Sequence, residues 1–222
     1  MSSYKCRELV PVSRIFIIGF SVLIFSDCYS QIDKSTEAYV GLGYYRHTGF
    51  DNNAYYHARL GLEIFSFKFI SPEIDFTYYF GGNDRIGERN LQTGLPISRL
   101  LKNFRGGIWG ISPKIYICDI DSRLVFIPKY HFGSVSADGL VITPNGRDDI
   151  TETKSRIAFW SFSVGFENLI DNDRLTLGIY LTYTGFDAGE SLNDISSPDF
   201  GFPNSETETS TIGLTARIGY RM

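Results

Sequence analysis

The sequence predicts an all-β fold in which eight antiparallel strands close into an up-and-down barrel. Three observations predict it. Eight segments alternate between an apolar and a polar face, as successive strand residues must. The connections between them are short and long in strict alternation. The composition favours strands over helices, with 14 Tyr, 18 Phe and 22 Gly in 222 residues.

The first 30 residues stand apart. Lys5, Arg7 and Arg14 precede the apolar run of residues 15–26, which is too short to cross a bilayer as a helix. A basic region, a short apolar core and small residues make a cleavable signal peptide, with cleavage expected after Ser30. Cys28 offers a rival reading as a lipoprotein cysteine, against which Asp27 stands where a small residue is usual. Residues 31–222 then form the mature domain. Its loss of three basic and two acidic residues, from 21 and 25, leaves a net charge of −5. That balance excludes a nucleic-acid binder. Cys118 is the one cysteine left, so no internal disulfide framework is expected, and its thiol is read as inert.

The strands follow in order. The first puts Ala38, Val40, Leu42 and Tyr44 on the apolar face. The second does so with Ala54, Tyr56, Ala58, Leu60, Leu62 and Ile64, against His57, Arg59 and Glu63. The third has Ile70, Pro72, Ile74, Phe76, Tyr78 and Phe80 against Glu73, Asp75 and Thr77. The fourth sets Trp109, Ile111, Pro113, Ile115 and Ile117 against Ser112, Lys114 and Tyr116. The fifth sets Leu124, Phe126, Pro128, Tyr130 and Phe132 against Lys129 and His131. The sixth alternates Ala158, Trp160, Phe162, Val164 and Phe166 with Ser161, Ser163 and Glu167. The seventh has Leu175, Leu177, Ile179, Leu181 and Tyr183 against Arg174, Thr176 and Thr182. The eighth has Ile212, Leu214, Ala216, Ile218, Tyr220 and Met222 against Thr215, Arg217 and Arg221. No apolar face carries a charge. Ile108, Val125, Ile127 and Phe159 fall on polar faces and predict a partly apolar interior.

Alternation alone does not say which face meets water, since a soluble barrel is apolar inside and a membrane barrel is apolar outside. Three features choose the membrane. The long connections, 46–53, 81–106, 134–155 and 185–209, all fall at one end. Aromatics gather at both strand ends, as interfacial girdles do: Tyr44, Tyr78, Phe80, Tyr130, Phe132 and Tyr183 at one, Phe65, Phe67, Phe69, Phe166 and Tyr220 at the other. Finally, the polar faces nearly balance in charge. Glu37, Glu63, Glu73, Asp75 and Glu167 face Arg59, Lys114, Lys129, Arg174, Arg217 and Arg221, with His57 and His131 among them. A closed interior requires such pairing, because an unpaired buried charge is costly.

With SPEIDFTYYFGG at 71–82 and TIGLTARIGYRM at 211–222, residues 37–222 resemble the small eight-stranded outer-membrane β-barrel family of Gram-negative bacteria. Met222 departs from the terminal Phe usual there. The resemblance implies a bacterial outer-membrane location and lipid as a partner. It spans attachment proteins, lipid-modifying enzymes and narrow channels, and carries over no functional residue.

Three functions compete. The first is a non-enzymatic surface or binding role through loops 81–106, 134–155 and 185–209, since eight strands leave an interior about filled by side chains. The second is a lipid-modifying enzyme using His47, His57 or His131. In strand register His131 and Ser134 point to opposite faces, so a His–Ser pair is not met there, and no catalytic residue is assigned. The third is a narrow channel for small hydrophobic compounds past Val125, Ile127 and Phe159. No metal or cofactor motif is present, and a monomer is expected. Residues 97–104 carry Ile97, Leu100, Leu101 and Phe104 at helical spacing, read as a short helix or an irregular loop.

Overall fold

A computed structural model describes residues 36–47, 54–66, 69–87, 89, 91–94, 97–119, 122–143, 146–170, 174–186 and 211–222. The expected signal peptide, its cleavage point, and most of the loop 185–209 lie outside the described residues. The strands are β1 (Glu37–His47), β2 (Ala54–Glu63), β3 (Ile70–Ile86), β4 (Arg99–Asp119), β5 (Ser122–Thr143), β6 (Gly146–Ile170), β7 (Leu175–Thr184) and β8 (Thr211–Arg221). Each pairs antiparallel with its sequence neighbour, and β1 pairs with β8 to close the barrel.

The alternation decides what faces inward. Leu42 and Ile179 are 69% and 67% exposed, whereas Lys114 is 0% exposed. Apolar side chains cover the outside and charged ones are shut inside. Glycines make room for the larger interior groups. A Cβ on Gly43 would strike the His57 ring, and one on Gly219 would strike the Glu37 carboxylate.

The register fixes the slope of the strands. From Tyr44, pairing across β2, β3, β4 and β5 reaches β6 at Lys154. The other way, across β8 and β7, it reaches β6 at Val164, ten residues further on. Such a stagger tilts the strands by about 40° to the barrel axis. With the slope removed, Tyr44, Tyr56, Tyr78, Trp109, Phe132, Trp160 and Tyr183 lie within about one residue of a common height. All point outward. They form the aromatic girdle on the long-connection side. Tyr220, Phe69 and Phe166 are exposed toward the opposite end.

The wall is uneven. β1, β2, β7 and β8 have 10 or 11 residues, but β4, β5 and β6 have 21, 22 and 25. β6 meets β7 only from Ser161 onward, so residues 146–160 rise beyond it. Two expectations are corrected here. Residues 99–104 are the start of β4, not a helix or a loop; Leu100, Lys102 and Phe104 point inward on one strand face, paired to Val141, Gly139 and Ala137. The connection 134–155 is mostly an extended hairpin of β5 and β6.

Candidate functional site: the barrel interior and its tall wall

The interior has two layers. The one nearer the short turns is ionic. Arg217 on β8 is its hub, donating to Glu37 at 3.2 Å, to Glu73 at 2.9 Å and to Glu63, with its guanidinium 3.4 Å from the centre of the Tyr39 ring. Lys114 joins Glu63 to Glu167, the latter at 2.7 Å. Lys129 joins Glu73 to Asp75, and Arg59 lies 3.7 Å from Asp75. Hydroxyls complete the shell. Tyr39 donates to Asp75 at 3.2 Å, Tyr116 to Glu63 at 2.9 Å, Thr176 to Glu37 at 3.0 Å, and Tyr180 to Glu167. Every strand therefore contributes to one continuous network. Five carboxylates and four cations nearly cancel, as burial demands.

The layer nearer the long connections is aromatic. Tyr45 stacks on Tyr55 at 4.9 Å, and Phe186 stacks on Tyr79 at 4.6 Å. Phe186 follows β7 and turns into the barrel, where it also meets Tyr55, Phe104 and Phe159 at 5.1, 5.7 and 5.3 Å. It is 0% exposed. Ile108 belongs to this layer, while Val125 and Ile127 pack with Tyr116 and Tyr180 lower down. The ring hydroxyls reach the wall, Tyr55 meeting Thr211 at 2.7 Å.

His57 and His131 sit between the layers. His57 lies 5.2 Å from the Tyr45 ring, and neither of its nitrogens has a hydrogen-bond partner among the described residues. His131 stacks on Phe159 at 4.5 Å, and its Nε2 meets Ser161 Oγ at 2.8 Å. As the strand register predicts, Ser134 points outward, away from His131; the hydroxyl that His131 meets is Ser161 on the next strand. Of the other residues expected inside, Glu37, Glu63, Glu73, Asp75, Lys114, Lys129, Glu167 and Arg217 are buried and Arg59 is half-buried. Arg174 is exposed in the turn before β7, and Arg221 is half-buried at the end of β8, so neither joins the cluster. The side chains of His47 and Cys118 lie outside the described residues.

The His131–Ser161 contact lacks the rest of a hydrolytic site, since His131 Nδ1 has no partner among the described residues to orient the ring. A cavity of about 10 Å³ lies among Tyr39, Arg59, Ser163, Thr182, Thr215 and Arg217, room for roughly one water.

Above the girdle, Arg99 on β4 donates to Asp84 on β3, and Arg105 on β4 lies 3.8 Å from Glu152 on β6. The hydrogen bonds from Arg99 hold the Asp84 carboxyl below its ordinary range.

No family model matches the chain, and no curated protein matches it. Among solved structures, 22 chains match. Neisserial surface protein A is 9% identical, with 87% of this chain and 100% of that chain covered and a TM-score of 0.51. Ail, the attachment invasion locus protein of Yersinia pestis, is 9% identical over 86% and 99%, with a TM-score of 0.42. The outer membrane protease OmpT from Escherichia coli is 10% identical over 86% and 96%, with a TM-score of 0.37. An apolar exterior between aromatic belts, closed around an ionic interior, suits hydrocarbon and not water. The chain has the fold of the small eight-stranded outer-membrane β-barrels, with an exterior built to face hydrocarbon.

Proposed function

We propose that the protein is a non-enzymatic surface scaffold that binds extracellular material through the tall hairpins of β3–β4 and β5–β6. The uneven wall carries this reading. Four strands continue past the girdle while the other four stop near it, and a membrane barrel needs only about ten residues per strand to span. The extra length therefore serves something outside the bilayer. The filled interior supports the same reading over a channel, because Phe186, Tyr79 and Tyr55 occupy the cross-section that a solute would use. It also weighs against a lipid-modifying enzyme, because His131 and Ser161 are both buried beneath Phe159 and Phe186.

The test shortens the β5–β6 hairpin by replacing residues 138–150 with a two-residue turn. Intact cells carrying either form are compared for adhesion to immobilised fibronectin, collagen and heparin. Loss of adhesion to any of these, with heat-modifiable gel migration preserved, is the expected result. Equal adhesion by trimmed and full-length forms on all three surfaces would overturn the reading.

A further inference from the structure

Prolines from adjacent strands fall in one row of the wall. Pro72 on β3 pairs with Pro113 on β4, and the β4–β5 register sets Pro113 opposite Pro128 on β5. The amide of Tyr116 donates to the Phe69 carbonyl at 2.8 Å, so the amides of Ser112 and Lys114 face β3 and position 113 faces β5. Pro113 and Pro128 therefore occupy a pair that would exchange both of its N–H···O bonds, and neither residue has the proton to give. The ladder stops at Ile111–Tyr130 and resumes at Ile115–Phe126, about 13 Å of strand further on. It breaks again between Tyr116 and Cys118. The gap lies about 10 Å below Trp109 and Phe132, at a depth where no bulk water replaces a lost backbone bond. The seams on either side, β3–β4 and β5–β6, pair without interruption through the same rows.

We propose that this stretch of the β4–β5 seam is an opening point built into the wall, held shut from inside by two crossed ionic straps. Lys114 follows Pro113 and Lys129 follows Pro128, so each strand turns a lysine inward within the gap. Lys114 reaches across β5 to Glu167 on β6, at 2.7 Å. Lys129 reaches the other way, across β4, to Glu73 and Asp75 on β3. Gly110 on β4 leaves room for that second crossing: a Cβ there would lie 3.0 Å from Lys129 Cδ and 2.8 Å from Asp75 Oδ1. Ser112, also inward in the gap, adds no bond, since its hydroxyl has no partner among the described residues. The ion pairs thus span the one seam from which the prolines remove the backbone bonds. With a strap gone, the wall parts sideways between Pro113 and Pro128 while the aromatic layer around Phe186 stays closed above it.

The experiment follows amide hydrogen exchange by NMR on the full barrel in lipid nanodiscs. Lys114→Met with Glu167→Gln removes one strap without stranding a carboxylate, because Glu63 keeps Arg217. The expected result is exchange about tenfold faster at the Ile115 and Phe126 amides, with the β7–β8 ladder unchanged. Pro113→Val with Pro128→Val restores both backbone bonds, and in that background removing the strap produces no such acceleration. Heat-modifiable migration verifies that each variant folds. Should the strap variant fail to fold, the valine variant decides alone: slower exchange at those two amides supports the proposal, and unchanged exchange overturns it. Unchanged exchange after strap removal, equal acceleration around the whole barrel, or the same acceleration in the valine background would also overturn it. Ligand binding by the hairpin tips plays no part in any of these outcomes, so either reading can fail alone.

Discussion

The two halves of the barrel interior solve the same packing problem with opposite chemistry. Toward the short turns, Arg217, Lys114 and Lys129 tie five carboxylates from four strands into a network. Toward the long connections, Tyr45, Tyr55, Tyr79, Phe104, Phe159 and Phe186 fill the cross-section with rings. The ionic half tolerates little change, because a missing partner strands a buried charge. The aromatic half is forgiving by comparison, since a smaller ring leaves a gap but no unpaired ion. The difference teaches where the barrel is fixed and where it could be loosened from outside.

Removing the hub should therefore cost most. Arg217→Met leaves Glu37, Glu63 and Glu73 without their shared cation, and a loss of about 3–5 kcal/mol is expected in urea unfolding from vesicles. A loss under about 1 kcal/mol would mean that the network is not the anchor described here. Phe186→Ala should cost about 3 kcal/mol in the same assay, since it empties the centre of the ring cluster. Combining the two variants sharpens the comparison: separate layers predict additive losses, within about 0.5 kcal/mol. Strong coupling would show that the layers act as one.

The smallest expected effect lies on the tall wall. Asp84 accepts from Arg99 and titrates below its ordinary value, so the pair contributes to the folded state above the unfolded carboxylate pKa and is lost as pH falls through the lower folded one. Carboxyl NMR titration of Asp84 should show its midpoint rising in the Arg99→Gln variant. An unchanged midpoint would remove the pair from the account.

Much of the barrel was legible because hydrocarbon enforces alternation. Between the girdles a charge on the wrong face costs about 2–4 kcal/mol near the midplane, so phase could be read strand by strand. Beyond the girdle that constraint ends. Water accepts Ser134, Ser136, Arg105 and Lys154 on an outward face, the apolar-polar rhythm fades, and the continuing strands β4, β5 and β6 read as loops. Leu100 and Phe104 are also four residues apart, which suits a helix as well as an inward strand face, and the pairing with β5 decided between them. The charged members of the interior were visible as polar-face residues, except that Arg174 and Arg221 fall too near the ends to be enclosed. Lys102, buried in the tall wall, was concealed inside the helical reading. The His131–Ser161 contact depends on cross-strand register, which one sequence does not contain. Phe186 carried no signal at all, since it leaves the β7 pattern before turning inward.

The central claim is that the apolar face touches lipid. The chain has two tryptophans, Trp109 and Trp160, both outward in the girdle and 48% and 56% exposed. Their fluorescence in vesicles of lipids brominated along the acyl chain reports that contact without any substitution. The account predicts strong quenching of both, greatest for bromine near the headgroup end and weaker near the chain terminus, with little quenching by aqueous iodide. Quenching by iodide with no response to brominated lipid would place that face in water and contradict it.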